Sequence, residues 1–246
     1  MTTVIIDHLS HSQVNSFASC PRKWHYDKIE RAPCERLPAT LAFGIAVHDV
    51  LAEVNERSIH GDTIDAKAAF ITAWKAQVAS AASPIHYGKD SADDLLSKGQ
   101  ALVTAYVPPH GIIGVEQPFT VELDPDLLPP IEGRIDVIRR DIAGNLVVSD
   151  LKTSASKVLT DTNGIEAQLA LYDVAYPAAG HEAIVLGKLK NPTITLQPIT
   201  PWPFARLRQH YIEVHAAMEA GVRFANRGWQ CDGCQFADRC RRDSCS

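Results

Sequence analysis

Apolar residues recur at two different spacings along this chain, and the change of spacing divides it into segments. Where they recur every three or four residues, the pattern is typical of helices. Where apolar and polar residues alternate, the pattern is typical of half-buried strands. The predicted helices cover 9–26, 41–58, 65–81, 92–106, 160–176 and 201–226, and the predicted strands cover 114–123, 135–140, 146–152, 183–190 and 193–200. We therefore expect an α/β protein in which the first three strands form an antiparallel meander.

The second and third strands carry three charged residues inside otherwise apolar sequence: Asp136, Asp150 and Lys152. A loop made of residues 142–144 would place Asp136 opposite Asp150, with their Cβ atoms roughly 5 Å apart. Lys152 lies two residues beyond Asp150 and would point to the same face of the sheet. A loop of two or four residues would send the carboxylates to opposite faces. We predict the three-residue loop, which brings the charges together.

Two carboxylates at this separation repel each other unless a cation joins them, and a divalent metal bound by oxygen ligands is a common solution. Lys152 could then orient or deprotonate a water molecule, or balance charge that grows on a phosphate oxygen. A cross-strand ion pair of Lys152 with either aspartate is the alternative interpretation. These three residues alone leave both open.

Four further polar residues are candidates because the predicted elements bring them towards this hairpin. His48, on the helix over 41–58, would be half-buried, and a lone histidine there is more often structural than functional. Glu116, on the first strand, could be another acid of a metal site or a solvated carboxylate on an edge strand. Gln168 and Tyr172 are four residues apart and would project together from the helix that follows the Asp150 strand.

The composition is that of an ordinary globular protein, with 46% hydrophobic residues in 246 and a formal net charge of −5. No apolar run approaches the roughly 18 residues of a membrane span, and the N-terminal residues do not resemble an export signal. We therefore expect a cytoplasmic protein without a membrane partner. The negative charge argues mildly against nucleic acid as a partner, although metal ions bound in a cleft supply positive charge locally.

The six cysteines are unevenly distributed, and most lie near the C-terminal end. Cys231 and Cys234 are spaced C-x2-C, and Cys240 follows six residues later. Three thiols so close together predict a bound metal or cluster. Cys245 would complete a local four-cysteine zinc site, whereas Cys20 would complete a site that joins the two ends of the chain. The spacing leaves both arrangements open.

Together, these motifs resemble the RecB/AddB nuclease branch of the PD-(D/E)xK superfamily, which includes the CRISPR adaptation exonucleases and similar phage-encoded proteins. The resemblance rests on the order and spacing of motifs along most of the chain. They are Ser10-x-Ser12, Cys20-Pro21-Arg22-Lys23-Trp24 with Tyr26, Gly44-x3-His48, Glu116, Gly133-x2-Asp136, Asp150-Leu151-Lys152-Thr153, Gln168-x3-Tyr172 and Cys231-x2-Cys234-x5-Cys240. The family often has tyrosine where Leu151 stands, and Cys245 is an additional cysteine.

The resemblance implies a restriction-endonuclease-like αβββαβ core with a helical N-terminal elaboration and a C-terminal iron–sulfur segment. It also implies hydrolysis of phosphodiester bonds with Mg²⁺ or Mn²⁺. By position, the metal ligands would be His48, Asp136, Asp150 and the backbone carbonyl of Leu151, with Glu116 as a further candidate. Lys152 would act on the attacking water, and Gln168 and Tyr172 would support the site or the DNA. A [4Fe–4S] cluster would be held by Cys20, Cys231, Cys234 and Cys240, with structural Zn²⁺ as the alternative.

The resulting hypothesis is a metal-dependent deoxyribonuclease that acts as an exonuclease on DNA ends, single-stranded by preference, in recombination, repair or DNA processing. A helicase or a recombination or CRISPR adaptation protein would be its partner. The chain would be a single nuclease domain over 1–246, with the core at 41–200, a long helix at 201–226, and segments 1–40 and 226–246 joined by the cysteine cluster. The alternatives are a catalytically inactive DNA-binding or assembly subunit and a zinc-stabilised interaction module.

Overall fold

The computed structural model describes residues 6–243. Its α-helices are α1 (His11–Ser19), α2 (Pro21–Trp24), α3 (Ala39–Ile59), α4 (Ala66–Ala79), α5 (Ala92–Ala105), α6 (Asn163–Ala175), α7 (Phe204–Glu219) and α8 (Ala237–Asp243). A π-helical turn over His25–Ile29 continues α2. The strands are β1 (Leu37–Pro38), β2 (Ile85–His86), β3 (Ile112–Val121), β4 (Ile131–Arg140), β5 (Leu146–Ser154), β6 (Gly180–Gly187) and β7 (Thr193–Pro198). The predicted α/β class is confirmed.

A five-stranded sheet in the order β3-β4-β5-β6-β7 forms the centre of the fold. β3, β4 and β5 are successive antiparallel neighbours, so the predicted meander is confirmed. β6 runs parallel to β5, and α6 provides the long connection that two parallel neighbours require. With α3 ahead of the meander, this arrangement is consistent with an αβββαβ core. β7 then adds an antiparallel strand at the far edge.

The β4–β5 hairpin has the register that the sequence predicted. Val137 pairs with Ser149, and Arg140 pairs with Leu146, which leaves residues 142–144 as the loop between Asp141 and Asn145. Gly144 has a φ of +86°, a left-handed conformation that glycine adopts without steric cost, as expected in a three-residue hairpin loop. Asp136 and Asp150 therefore occupy matching positions on neighbouring strands.

Helices cover both faces of the sheet, so that its central strands are buried on each side. On one face, α3, α4 and α5 pack against apolar side chains that include Val137, Leu151 and Ile184. On the other face, α6 packs against Val148 and Val185. A third apolar cluster joins α1 and α7 to the start of β4, at Ile131. Ser149 and Asp150 of β5 are buried between these layers, so their polar groups need partners inside the fold.

The segment that leads into α1 is anchored directly to the sheet. The Leu9 N–H donates to the Pro130 carbonyl at 2.9 Å, and the Glu132 N–H donates to the Leu9 carbonyl at 2.8 Å. Ser10 then caps α1, because its side chain accepts a hydrogen bond from the Gln13 N–H. The first residues of α1 are thereby fixed beside the start of β4.

Two of the predicted helices divide or end at specific residues. The segment predicted as helical over 9–26 is divided at Cys20, which is extended at φ −159°, and Pro21 begins α2. A proline directly after Cys20 predicts such a break or the start of a second short helix, and this is confirmed. The long helix predicted over 201–226 was wrong at its C-terminal end, since α7 stops at Glu219. Gly221, at φ +70°, ends it, and its N–H donates to the Met218 carbonyl. Residues 222–226 therefore run back towards α1 and α2.

The longest described helix, α3, has 21 residues but includes Asp49, Glu53, Glu56 and Arg57. Within residues 6–243, no helix combines the length and the apolar character needed to cross a membrane.

Candidate active site

Asp136 and Asp150 form the centre of the candidate site, at the matching positions of β4 and β5. Asp150 is fully buried, and the Asp136 side chain is 12% exposed. Asp136 Oδ2 accepts a hydrogen bond from the Leu151 N–H at 2.7 Å, so this carboxylate reaches across to the neighbouring strand. Burial, and then the negative charge of Asp150, raise the pKa of Asp136 well above its usual value. The two acids thus repel each other in the absence of a cation.

Lys152 supplies the positive charge nearest to these acids. Its Nζ lies 2.6 Å from Asp150 Oδ2 and donates a hydrogen bond to Gln168 Oε1 at 3.1 Å. Burial acts to lower the pKa of Lys152, but attraction to Asp150 and Asp136 outweighs burial and leaves this pKa above that of an ordinary lysine. Lys152 is therefore a charged ammonium group at neutral pH.

α6 adds two side chains that complete a network around Asp150. Gln168 Nε2 donates to the Tyr172 hydroxyl at 2.9 Å, and that hydroxyl donates to Asp150 Oδ1 at 3.3 Å. Tyr172 is buried, and burial is the main cause that raises its pKa well above the usual value. The spacing of four residues brings Gln168 and Tyr172 to one face of α6, as the sequence predicted. Their roles remain predictions.

α3 brings His48 to the opposite side of the same acids. Its Nδ1 lies 3.8 Å from Asp136 Oδ2, and its ring lies beside the backbone of Leu151. Burial lowers the pKa of His48, so the imidazole is neutral at pH 7, the form that binds metal ions. His48 and the Leu151 backbone, predicted as metal ligands, are therefore neighbours.

Glu116 lies at the edge of the site, on β3. Val115 pairs with Val137 and Gln117 pairs with Ile135, so Glu116 stands opposite Asp136. Its φ of +47° is unusual for a residue other than glycine and marks a local irregularity of the strand. Glu116 is half-buried, and burial raises its pKa.

His11, on α1, belongs to the surroundings of the site, although sequence reasoning did not select it. Its Nδ1 lies 3.3 Å from the Tyr211 hydroxyl, and its ring lies beside the backbone of Gly164. Burial, followed by the positive charge of Lys152, lowers the pKa of His11 to about 4. His11 is thus a neutral link between α1, α6 and α7. No local pattern predicts it, because its partners are distant in sequence.

A cleft with a volume of about 610 Å³ opens beside Lys152, Gln168 and Tyr172. One wall comes from the start of α1, a second from the start of β4 and a third from α6. The polar side chains along these walls are Ser10, His11, Ser12, Asn15, Glu132, Arg134 and Asp161. A nucleotide-sized ligand would fit in a space of this volume next to the two acids.

Four of the cysteines share a second cavity, of about 320 Å³, between the two ends of the chain. They are Cys20, Cys231, Cys234 and Cys240. Burial is the main cause that raises the pKa of the Cys234 thiol; the Phe236 backbone and Lys23 oppose this rise, and the nearby Cys20 and Cys231 add to it. Cys34 does not line this cavity, and Cys245 lies outside the described residues.

Within residues 6–243, no group of three His, Cys, Asp or Glu side chains is arranged to hold a metal ion as it stands. The donor set nevertheless fits a hard divalent cation, because it combines two carboxylates with an imidazole and a backbone carbonyl. Asp150 Oδ2 is buried, and its charged neighbour among the described residues is the Lys152 ammonium, 2.6 Å away. Asp136 and Asp150 share this one ammonium, so the pair of acids keeps an excess of negative charge that a divalent cation would balance.

Two solved structures are similar to this chain in fold. One is a "Putative exonuclease" from Eubacterium rectale, with 14% identity, a TM-score of 0.58, and coverage of 96% of this chain and 88% of that protein. The other is SSO0001, with 15% identity, a TM-score of 0.48, and coverage of 96% and 87%. No curated protein matches the chain significantly.

The comparison with protein families gives a match over nearly the whole chain. The model of the PD-(D/E)XK nuclease superfamily matches residues 8–241, a range that includes the acids of the hairpin, Lys152, His48 and the four cysteines of the shared cavity. This chain therefore belongs to the PD-(D/E)XK nuclease superfamily.

Proposed function

We propose that this protein is a metal-dependent deoxyribonuclease that removes nucleotides from DNA ends, with a preference for single strands. One observation carries the proposal: two neighbouring acids, Asp150 and Asp136, share a single charged Lys152, and burial and the charge of Asp150 raise the pKa of Asp136 well above its usual value. A structural ion pair would need neither the second buried acid nor the neutral His48 on its other side.

In the proposed site, His48, Asp136, Asp150 and the Leu151 carbonyl hold Mg²⁺ or Mn²⁺, with Glu116 close enough to Asp136 to act as a further acid. Such an ion, when bound, lowers the pKa of a water molecule and neutralises charge on the scissile phosphate. The rest of the chemistry belongs to side chains of the protein.

Lys152 holds the attacking water or a phosphate oxygen through its ammonium group. Gln168 fixes the position of Lys152 Nζ by accepting its hydrogen bond, and Tyr172 fixes Asp150 by donating to Oδ1. Both supporting residues lie on one helix, α6, so they fix the position of the Asp150 carboxylate relative to the Lys152 amine. Fixed positions of the reacting groups lower the entropic part of the activation barrier.

The preference for single-stranded ends is inferred from the cleft. Its walls come from three elements, including the start of α1, which the Leu9 hydrogen bonds fix to the sheet. One strand would fit in a cleft of about 610 Å³ bounded in this way, and this supports a single-stranded end as the substrate. The similar protein from Eubacterium rectale is described as a "Putative exonuclease", and this supports exonuclease action by analogy.

A role in recombination, repair or DNA processing follows from the family resemblance. The partner would then be a helicase or a recombination or CRISPR adaptation protein.

We also propose that Cys20, Cys231, Cys234 and Cys240 hold a [4Fe–4S] cluster. Their shared cavity supports this assignment, because a cluster joins thiolates that lie farther apart than the ligands of a single ion. The cluster would tie the α1–α2 segment to α8. Structural Zn²⁺ bound with Cys245 is the alternative, and absorbance near 400 nm separates the two.

The test is cleavage of an end-labelled single-stranded DNA by the purified protein, with Mg²⁺ or Mn²⁺ and with EDTA. Asp150→Asn should abolish cleavage, whereas Glu56→Gln, an exposed acid on α3, should cleave at the wild-type rate. DNA binding without cleavage by the wild-type protein would instead support an inactive binding or assembly subunit. If the protein neither cleaves nor binds DNA and contains zinc, it is an interaction module.

A further inference from the structure

We propose that Arg134 forms a binding subsite for a phosphate of the DNA backbone, next to the phosphate that is cleaved. The inference rests on the proposed function, since it assumes that the cleft beside Lys152 receives a DNA strand. It adds to the proposed function a guanidinium without an ion pair among the described residues, on the wall of the cleft that β4 forms. The ligand of this guanidinium would be one phosphate of the DNA backbone.

Arg134 lies two residues before Asp136 on β4, so both side chains leave the same face of the strand. It is exposed and lines the cleft of about 610 Å³ that also contains Lys152. Its charge reaches Glu116 and acts to lower the pKa of that acid. Arg134 therefore stands between the acids of the site and the open part of the cleft.

Arg134 forms no ion pair within the described part of the chain, and its charge acts on Glu116 only at longer range. Among residues 6–243, no carboxylate lies within 4.0 Å of its guanidinium, and no hydrogen bond engages it. On the same strand, Arg139 forms a paired hydrogen bond with Glu182 through Nε and Nη2, at 2.9 and 2.8 Å. Arg208 likewise pairs with Asp124. An arginine without such a partner, at the mouth of a polar cleft, is suited to a phosphate, which guanidinium binds through two parallel hydrogen bonds.

The opposite wall offers neutral hydrogen-bond donors. Ser12 and Asn15 are exposed on α1 and line the cleft, and the Asn15 amide has no hydrogen-bond partner among the described residues. Ser12 Oγ lies 3.0 Å from Ser10 Oγ, which keeps one side of this wall ordered. A strand that passes between the walls would meet Arg134 on one side and these polar groups on the other.

Two acids limit where a phosphate can lie. Glu132 and Asp161 also line the cleft and would repel a phosphate. The cleft is therefore favourable for an anion beside the two cations that line it, Arg134 and Lys152. A single phosphate subsite, rather than a continuous basic channel, follows from this distribution of charge.

The experiment measures equilibrium binding of a labelled single-stranded oligothymidylate to the Asp150→Asn protein over a range of salt concentrations. Each phosphate neutralised on a single strand contributes about 0.7 to the slope of log Kobs against log salt. Arg134→Gln should lower this slope by about 0.7 and weaken binding at low salt by about tenfold. Arg140→Gln is the matched control, because Arg140 is exposed on the same strand but donates to the Gly144 carbonyl in the hairpin loop.

Arg134→Lys keeps the charge, so it should retain the slope while binding more weakly than arginine does. The proposal would be overturned if the slope of log Kobs against log salt were the same with Arg134→Gln as with arginine at this position, in a protein whose circular dichroism spectrum is unchanged. Failure of the proposed function has a different signature, namely undiminished cleavage by the Asp150→Asn protein. In the active protein, Arg134→Gln should raise KM by a larger factor than it lowers kcat, whereas a larger effect on kcat would contradict a binding role.

Discussion

Lys152 Nζ lies 2.6 Å from Asp150 Oδ2, although both residues belong to the same strand and are separated by one position. Alternation places the two side chains on one face of β5, and α6 covers them there. The same amine also donates to Gln168 on α6. This contact therefore joins the strand that carries the acid to the helix that supports it.

Removal of the Lys152 amine should affect chemistry far more than binding. For Lys152→Ala we expect the rate of cleavage at saturating DNA to fall by about 100-fold to 10,000-fold, the usual range for a group that assists proton transfer or stabilises growing charge. Single-turnover cleavage of an end-labelled strand measures this rate. Lys75→Ala, on the exposed side of α4, should leave it unchanged. A fall of less than threefold for Lys152→Ala would exclude a catalytic role.

The Tyr172 hydroxyl should matter to activity beyond its effect on folding. Tyr172→Phe removes the hydrogen bonds to Asp150 and Gln168, and we expect about 0.5–1.5 kcal/mol lower stability and about tenfold slower cleavage. Tyr106→Phe is the matched control, because Tyr106 is also buried and its hydroxyl donates to Asn55 at 2.9 Å, in a position outside the site. It should show the same loss of stability in urea unfolding with normal cleavage. Equal effects of both variants on cleavage would contradict the supporting role of Tyr172.

Much of this arrangement could be predicted from local sequence. The hairpin register follows from the length of a short loop, and it fixes Asp136, Asp150 and Lys152 together. The pair Gln168 and Tyr172 follows from helical spacing alone. These relationships depend on a few consecutive residues, so no knowledge of distant contacts was needed.

Other parts of the site depend on packing between distant segments. His11 lies near Lys152 because α1, α6 and α7 pack together, and no local pattern contains that information. Arg134 is different, since its spacing from Asp136 on an alternating strand was a usable signal. The end of α7 was missed because the left-handed conformation of Gly221 stops the helix ahead of Gly228, where the sequence prediction ended it.

The pKa of Asp136 predicts how the metal-free protein responds to pH. Burial and the charge of Asp150 raise this pKa in the folded state, so the folded protein binds more protons than the unfolded chain between the ordinary pKa of 3.8 and the raised value. In that window, the contribution of Asp136 to stability falls as pH rises. Asp136→Asn should therefore raise the urea midpoint of the metal-free protein at neutral pH, while it abolishes cleavage. The gain should shrink as pH falls towards 4, and a variant less stable than the wild type at pH 7 would contradict this account.

The cysteine assignment predicts a coloured protein. After anaerobic purification, we expect absorbance near 400 nm, and Cys20→Ser should remove most of it. Cys34→Ser is the matched control, since Cys34 lies outside the shared cavity, and it should keep the colour. A colourless protein that contains about one zinc per chain, lost in Cys245→Ser, would contradict the iron–sulfur assignment.

The most direct measurement counts Mn²⁺ ions bound per chain by electron paramagnetic resonance and follows DNA cleavage in the same samples. We predict that the wild-type protein binds Mn²⁺ and that cleavage rises with its occupancy. The Asp150→Asn protein should lose both the bound ion and the cleavage while it remains folded. Cleavage that proceeds equally in EDTA, or that survives in Asp150→Asn, would contradict the metal-dependent site.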